Sequence, residues 1–140
     1  MSTFKQSLVT ALSMFGSAVF AQGAGFTALA PTQKDLSEYK GESRPLLVFA
    51  PDPEDPDFKD QLAELRDASD GLLDRDIVVL MDTEPETYGK LRTALAVDSF
   101  EVVLVGKDGS VKLRQKTPVA ARLLFDRIDE MPMRRREMSN

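Results

Sequence analysis

Short runs of consecutive apolar residues alternate along this chain with segments whose apolar residues recur every three or four positions. The runs at 46–50 and 77–81 contain no polar residue, which is typical of strands covered on both faces. Three prolines predict a loop after the first run, with Asp55 as the N-cap of a helix over 56–69 that ends near Gly71. The apolar residues on one face of this helix are Phe58, Leu62, Leu65 and Leu72.

The second half of the chain predicts another helix, a hairpin and a final helix. The capping-box pattern at 83–86 opens the first of these helices. Its inward-facing residues are Tyr88, Leu91 and Leu95. Strands are predicted at 100–105 and 111–114, because the Asp-Gly pair within 106–109 favours the positive φ angles of a tight turn. The last helix begins at Thr117-Pro118 and ends at Pro132.

These elements follow the order β-α-β-α-β-β-α. The first two strands must be parallel and joined by a right-handed crossover, whereas the hairpin makes the last two antiparallel. The sequence therefore predicts an α/β fold, in which a mixed four-stranded sheet carries helices on both faces.

The first 21 residues have the pattern of a secretory signal peptide. Lys5 is the only early charge, an apolar run extends from Ser7 to Ala21, and small residues suit cleavage before Gln22. The alternative is a buried amphipathic helix, for which no later segment supplies a partner. The run is shorter than the roughly 20 apolar residues that span a bilayer. We therefore expect an exported protein, periplasmic or extracellular, with no stable membrane anchor. Residues 22–33 would form a flexible leader and 34–138 the domain.

The chain has neither cysteine nor histidine. This absence removes the thiolate of redox catalysis and the side chain most used for acid–base work near neutral pH and for transition metals. The net charge is −5 and becomes −6 when Lys5 leaves with the signal peptide, so phosphate repulsion disfavours nucleic acid as a partner. No cofactor is implied.

Four segments resemble the motifs of a known family: RPLLVFAP at 44–51, DRDIVVL at 74–80, VVLVGKDGSVKLR at 102–114 and DRIDEMPMRRREM at 126–138. They are similar to the domain of unknown function 4174 family. The resemblance covers nearly all of the chain after the signal peptide. It implies a thioredoxin-like fold, of the kind found in exported bacterial proteins and in modules of some animal extracellular-matrix proteins. It implies no activity, because the family has no established one.

The resemblance also shows what this chain lacks. In thioredoxins a Cys-x-x-Cys pair follows the first strand of this core, where the chain has Pro51-Asp52-Pro53-Glu54-Asp55. In thioredoxins a cis-proline precedes the third strand of this core. The corresponding place in this chain is near Glu101. Both halves of a thiol redox site are missing, and so is the single cysteine of a peroxidase.

The acidic loop in that place is the sharpest local candidate for a site. Calcium favours several carboxylate oxygens in a flexible loop, but the spacing here does not match the twelve-residue calcium loop. Acidic residues at a helix N-terminus are also favoured by capping and by the helix dipole. Both interpretations stay open, and capping is the simpler one. The candidate metal ligands are Asp52, Glu54, Asp55 and Asp57.

No catalytic residue is predicted. Ser99 lacks a histidine or lysine base, which favours a turn residue, and nothing places two carboxylates across a cleft. Asp74-Arg75-Asp76 predicts a structural node in which Arg75 binds a carboxylate in bidentate fashion. The run at 134–136 has three readings: a solvated tail, a docking patch for an acidic partner or a membrane surface, and a tail that packs back on the domain.

We therefore predict a non-catalytic binding or interaction module whose partner is a protein or a small ligand. Ligands of open α/β sheets bind at the carboxyl ends of the strands. The alternatives are an enzyme with thiol-independent chemistry, based on carboxylates or a metal, and a purely structural envelope protein. The candidate interaction residues are Pro51, Asp52, Asp55, Ser99, Phe100, Arg134, Arg135 and Arg136.

Overall fold

The computed structural model describes residues 25–140, so the predicted signal peptide at 1–21 lies outside the described residues. This part of the chain contains five strands: β1 (Gly25–Ala28), β2 (Arg44–Phe49), β3 (Ile77–Asp82), β4 (Glu101–Val105) and β5 (Val111–Gln115). It also contains five α-helices: α1 (Pro56–Asp67), α2 (Ser69–Asp74), α3 (Lys90–Ala94), α4 (Ala121–Asp129) and α5 (Pro132–Ser139). Short 3-10 helices lie at Ser37–Tyr39 and Pro85–Thr87. None of the helices in residues 25–140 is long and apolar enough to cross a membrane.

The strands form one mixed sheet in the order β1-β3-β2-β4-β5. β1 and β2 run parallel to β3, while β4 runs antiparallel to β2 and to β5. The predicted α/β class, the parallel pairing of β2 with β3 and the β4–β5 hairpin are confirmed. In the hairpin turn, Gly106 N donates to Ser110 O at 2.9 Å and Gly109 has a φ of 87°.

The sheet has five strands rather than the predicted four, because part of the expected flexible leader at 22–33 forms β1. Gly25–Ala28 pairs with residues 78–81 of β3, and Phe26 packs against the core. Leu29 N then donates to Met81 O at 2.7 Å. A four-residue segment without an apolar period carries no strand signal of its own, so β1 exists because the edge of β3 offers it hydrogen bonds.

Two apolar layers cover the sheet. In β2, Leu46 and Val48 face α1, α2 and α4, whereas Leu47 and Phe49 pack with α3 and with the segment around the first 3-10 helix. Helices therefore lie on both faces, as predicted. β2 and β4 are buried along their whole lengths, which explains their unbroken apolar runs.

The last helix in the core, α4, begins at Ala121 rather than at Thr117, because α1 supplies its cap. Gln61 is fully buried, accepts a hydrogen bond from Val119 N at 2.6 Å and donates one to Val119 O at 3.0 Å. Glu64 Oε2 accepts from Ala121 N at 2.8 Å. Two side chains of α1 thus take the place of the predicted local cap.

Three other predicted helix boundaries are wrong. Gly71 lies inside α2, where a Cβ would come within 2.5 Å of the Phe125 ring. The capping box at 83–86 does not form. Instead the second 3-10 helix ends at Thr87, and its C-cap Tyr88 has a φ of 51° and is 82% exposed rather than inward-facing. Pro132 is the first residue of α5 and not merely a terminator of α4.

Candidate functional site

The carboxyl ends of the parallel strands form one edge of the sheet, and two segments singled out from the sequence meet there. β2 and β3 end at Phe49 and Asp82, which are register partners, and the antiparallel β4 begins opposite Phe49 at Glu101. The loop at 51–55 leaves this edge after β2, and residues 98–100 enter it before β4. This region is called the carboxyl edge below.

The acidic loop uses its carboxylates locally. Asp55 Oδ2 accepts from Phe58 N at 3.0 Å and caps α1, and Asp52 Oδ1 accepts from Glu54 N at 2.8 Å. Glu54 also makes an exposed ion pair with a lysine of α1 at 2.6 Å. Within residues 25–140, no group of three or more acidic side chains is arranged to hold a metal ion. The four candidate metal ligands are therefore not brought together as a site: Asp52, Glu54, Asp55 and Asp57.

The other candidates at this edge differ in accessibility. Pro51 and Ser99 are exposed, whereas Phe100 is only 4% exposed and packs in the core below α1 and α4. Phe100 is thus unavailable to a partner, contrary to the prediction, because a strand entering a covered sheet buries its first aromatic residue. Ser99 Oγ lies 3.4 Å from the carbonyl of the next residue, which fits a turn residue.

Arg92 and Asp82 form a buried ion pair at the carboxyl edge, which the sequence did not indicate. Arg92 Nε lies 3.1 Å from Asp82 Oδ2, and both side chains are 7% exposed. Arg92 Nη2 also donates to the carbonyls of Ala50 at 2.9 Å and Asp82 at 2.8 Å, and the guanidinium lies 5.5 Å from the centre of the Phe49 ring. One arginine of α3 therefore satisfies the last polar groups of β2 and β3.

Glu101 is a second buried acid at this edge. It is 2% exposed, and Arg114 of β5 donates to its Oε2 through Nε and to Leu95 O through Nη2 at 2.8 Å. Within the described residues, Glu101 Oε1 has no hydrogen-bond partner. An ion pair between neighbouring strands thus stands where the resemblance places the cis-proline of thioredoxins.

An open groove of about 430 Å³ lies beside the Asp82–Arg92 pair. Its lining residues are Pro85, Tyr88, Arg92, Thr93, Ala96, Val97 and Asp98. This region is called the Tyr88 groove below. A second opening, of about 330 Å³, lies on the other side of Asp82, between the ends of β1 and β3. Arg92 lines the first opening and Asp82 lines the second, so each residue of the ion pair borders one of them.

Strained backbone is concentrated in the Tyr88 groove. Within residues 25–140, three residues other than glycine have a positive φ, and two of them line this groove: Tyr88 at 51° and Ala96 at 56°. Ala96 follows α3 in a C-terminal motif where glycine is usual, since Val97 N donates to Arg92 O at 3.0 Å. Left-handed backbone costs about 1–2 kcal/mol for a residue with a side chain, and such strain clusters at functional sites.

At the opposite end of the sheet, eight charged side chains form one network, called the ionic network below. The four cations are Arg44, Arg75, Lys107 and Arg134, and the four carboxylates are Asp74, Asp76, Asp129 and Glu137. A contact of 3.6 Å between Arg134 Nη1 and Glu137 Oε1 joins the two halves of the network. All eight lie in the four segments that carried the family resemblance. The predicted node is confirmed: Arg75 binds Asp129 in bidentate fashion at 3.0 and 2.9 Å.

Arg134 is part of this network and not of an exposed docking patch. Its side chain is 7% exposed and lies 2.6 Å from Asp74 Oδ2 and 3.1 Å from Asp129 Oδ1. Among the three readings of the arginine run, the tail that packs back on the domain is correct for this residue. Arg135 and Arg136 are exposed on the outer side of α5.

The network shifts the pKa values of Glu137, Asp129 and Lys107. Burial acts to raise the pKa of Glu137, but the hydrogen bonds from Lys107 and Arg44 outweigh it and lower that pKa. The bonds from Arg75 and then Arg134, opposed by burial, lower the pKa of Asp129. Burial opposes the charge on Lys107, yet the carboxylates of Asp76 and Glu137 raise the pKa of its ammonium. The charged forms therefore stabilise one another across neutral pH.

The model of one family, described as a domain of unknown function (DUF4174), matches residues 35–137. The chain belongs to the DUF4174 family. The comparison with curated proteins gave no match.

Solved structures show the fold of this DUF4174 domain. Chloroplastic thioredoxin z matches with a TM-score of 0.58 at 13% identity, over 85% of this chain and 99% of that one. The reduced 2-Cys peroxiredoxin of Plasmodium vivax matches with a TM-score of 0.55 at 15% identity, over 72% and 84%. The thioredoxin of Malassezia sympodialis matches with a TM-score of 0.53 at 10% identity, over 76% and 90%. At these identities the likeness establishes a thioredoxin-like fold and no activity.

The DUF4174 domain carries this fold without its thiols. The chain has no cysteine anywhere, and the position after the first core strand holds the loop that caps α1. The candidate sites that the structure offers are instead the ionic network and the Tyr88 groove, which lie at opposite ends of the sheet. Neither the groove nor the Asp82–Arg92 pair was found from the sequence. The available signals were the acidic residue directly after the 77–81 run and the breaking of the predicted helix by Pro85 and Gly89.

Proposed function

We propose that this DUF4174 domain is an exported, non-catalytic binding module that engages its partner through the Tyr88 groove. Tyr88 is the observation that carries the proposal: its side chain is 82% exposed, and its backbone is held at a positive φ on the rim of the groove. An exposed ring gains little from packing, so the fold alone does not account for an aromatic residue in a strained position. Aromatic residues are enriched among the side chains that dominate binding energy at protein interfaces.

The shape of the groove favours a protein partner over a small ligand. Small-molecule sites bury most of their ligand in a concave, enclosed pocket. The Tyr88 groove is open to solvent and has an exposed aromatic rim, while its one buried charged residue, Arg92, already pairs with Asp82. An extended or helical segment of another protein could cover Tyr88 and Val97 without having to break that pair.

The polar groups of the carboxyl edge also support a non-catalytic role. Asp52 and Asp55 accept hydrogen bonds from nearby backbone N–H groups, and Arg92 is saturated by Asp82 and two carbonyls. A catalytic acid or base must present an accessible group to the substrate. No specific observation favours the thiol-independent enzyme.

Site-specific photo-crosslinking in the producing cell tests this proposal. A benzophenone amino acid replaces Tyr88 in the full-length chain, and a matched variant carries it at Leu123, which is 45% exposed on α4 at the opposite face of the sheet. We expect a discrete crosslinked partner from position 88 and not from position 123. Crosslinking from both positions would instead support the structural envelope protein, and no crosslink from position 88 would contradict the binding module.

Export is a separate part of the proposal, and it rests on the first 21 residues. Intact-mass measurement of the protein from the cell envelope is expected to show a chain that begins at Gln22. A full-length chain beginning at Met1, retained in the cytoplasm, would contradict export while leaving the Tyr88 groove untouched.

A further inference from the structure

Glu137 of α5 is held by Arg44 and Lys107 as proteins hold a bound carboxylate. Arg44 Nη1 lies 3.3 Å from Glu137 Oε1, and Nη2 lies 3.1 Å from Oε2, which makes the pair bidentate. Lys107 Nζ adds a contact of 2.7 Å to Oε2. Paired guanidinium bonds of this kind are the usual geometry for carboxylate recognition.

The two sides of this contact differ in burial. Arg44 is fully buried at the start of β2, and Lys107 is 8% exposed in the turn after β4, so both cations are fixed to the sheet. Glu137 is 27% exposed and comes from a terminal helix. The sheet therefore provides a preformed cationic site, while the carboxylate is delivered from the surface.

The helix that delivers Glu137 is attached by charge rather than by apolar packing. Among residues 132–139, only Arg134 is buried, and Asp74 and Asp129 hold it. Salt screens these half-buried pairs less than exposed ones, but Glu137 is 27% exposed and Asp129 32% exposed, so a competing anion can reach the cations that these carboxylates hold. Met131, directly before α5, packs against the core, so residues 132–139 can leave the sheet about that point while Met131 keeps its apolar contacts.

A small cavity of about 40 Å³ adjoins the cationic site, enough for at least one water molecule or a ligand atom. Arg44, Lys107, Met131 and Met133 are among its lining residues. Arg44 Nε is buried, and within residues 25–140 it has no hydrogen-bond partner. The site thus keeps one donor and some space that Glu137 does not use, although a buried donor without an acceptor destabilises the fold.

We propose that Arg44 and Lys107 form a carboxylate-binding site, which the chain closes with its own Glu137, and that α5 is a strap displaced by a competing carboxylate ligand. The site lies at the opposite end of the sheet from the Tyr88 groove, so it goes beyond the proposed function and can fail or hold independently of it.

The direct test uses a variant of the full-length chain in which the site has lost its own carboxylate. Glu137→Ala removes the carboxylate, and thermal unfolding is then followed in sodium acetate and in sodium chloride at equal ionic strength. We expect acetate to raise the midpoint of this variant by about 4 °C or more above chloride. The wild type and a Glu130→Ala control, which alters an exposed carboxylate of the same region, should show a much smaller difference between the two salts, because acetate must there compete with Glu137.

A second experiment tests whether the site binds a carboxylate only when a helix presents it. A peptide of residues 131–140 is added to the Glu137→Ala variant, with a Glu137→Gln version of the peptide as its control. Stabilisation by acetate indicates a small-acid site, and stabilisation by the unaltered peptide alone indicates recognition of an acidic helix. If neither probe stabilises the variant more than chloride does, the proposal is wrong.

A third measurement covers the case in which Glu137→Ala does not fold. The chain has no cysteine, so Met138→Cys, at a position 51% exposed on α5, accepts a spin label at a unique site. Leu123→Cys on α4 serves as the control. We expect glutamate to mobilise the label at 138 more than chloride at equal ionic strength, with no change at 123. A label at 138 that stays equally immobile in both salts would overturn the strap.

Discussion

The Asp82–Arg92 pair is predicted to be the most sensitive polar contact of the carboxyl edge. Asp82→Asn keeps the shape of the side chain but removes its charge, which leaves Arg92 buried at 7% exposure without a counterion. Removing one partner of a buried pair costs about 3–5 kcal/mol. The upper part of that range is expected here, because both oxygens of Asp82 accept hydrogen bonds, Oδ1 from Glu84 N at 3.0 Å and Oδ2 from Arg92 Nε at 3.1 Å, whereas an amide has only one acceptor oxygen. For a domain of this size, the loss corresponds to a fall of roughly 10–20 °C in the unfolding midpoint.

Thermal and urea unfolding followed by circular dichroism measure this effect. The matched control is Asp98→Asn, which breaks an exposed pair with Lys116 whose side chains are 78% and 62% exposed, and is expected to cost less than about 1 kcal/mol. The double variant Asp82→Leu with Arg92→Met removes the uncompensated charge but leaves the carbonyl of Ala50 and the N–H of Glu84 without their side-chain partners, so it should recover only part of the loss. A fall below about 3 °C for Asp82→Asn would refute the reasoning, and so would a double variant less stable than the single one.

Three further predictions concern the rest of the fold. The lowered pKa values of Glu137 and Asp129 mean that both carboxylates stabilise the fold at neutral pH and that this contribution is lost as the pH falls below about 4.5; Glu137→Gln should flatten the pH dependence of the unfolding midpoint in that range. Ala96→Gly relieves a φ of 56° and should stabilise the domain by up to about 1 kcal/mol in urea unfolding; a loss of stability would show that the strain is not intrinsic to the backbone. Gly71→Ala places a Cβ 2.5 Å from the Phe125 ring and should cost about 1–3 kcal/mol, and a neutral result would mean that the ring moves aside easily.

Most of the sheet could be predicted because its strands carry local signals. The apolar runs of β2 and β3 and the Asp-Gly turn before β5 identify their elements from a few adjacent residues. β1 carries no such signal, since its four residues become a strand only by pairing with β3. The helix predicted to begin at 83 failed for a related reason: Pro85 and Gly89 break it into a 3-10 turn and the short α3.

The ionic network shows why site residues were harder to predict than strands. A run of three arginines near a chain end looks like a solvated tail, and Arg134 is buried only because Asp74, 60 positions earlier, lies beside it in the fold. Arg92 gave no sign of burial within its own helix, because its partners are at the ends of two strands. The family resemblance marked the segments of the network but not their convergence.

The central claim is that this DUF4174 domain acts by binding through the Tyr88 groove, and affinity measured by calorimetry tests it most directly. The partner identified by crosslinking is titrated with the wild type, with Tyr88→Ala and with the control Leu123→Ala. The account predicts a roughly 10- to 30-fold weaker affinity for Tyr88→Ala, as expected for loss of an aromatic anchor, with the affinity of Leu123→Ala and the unfolding midpoint of both variants unchanged. Equal affinities for the wild type and Tyr88→Ala would contradict it.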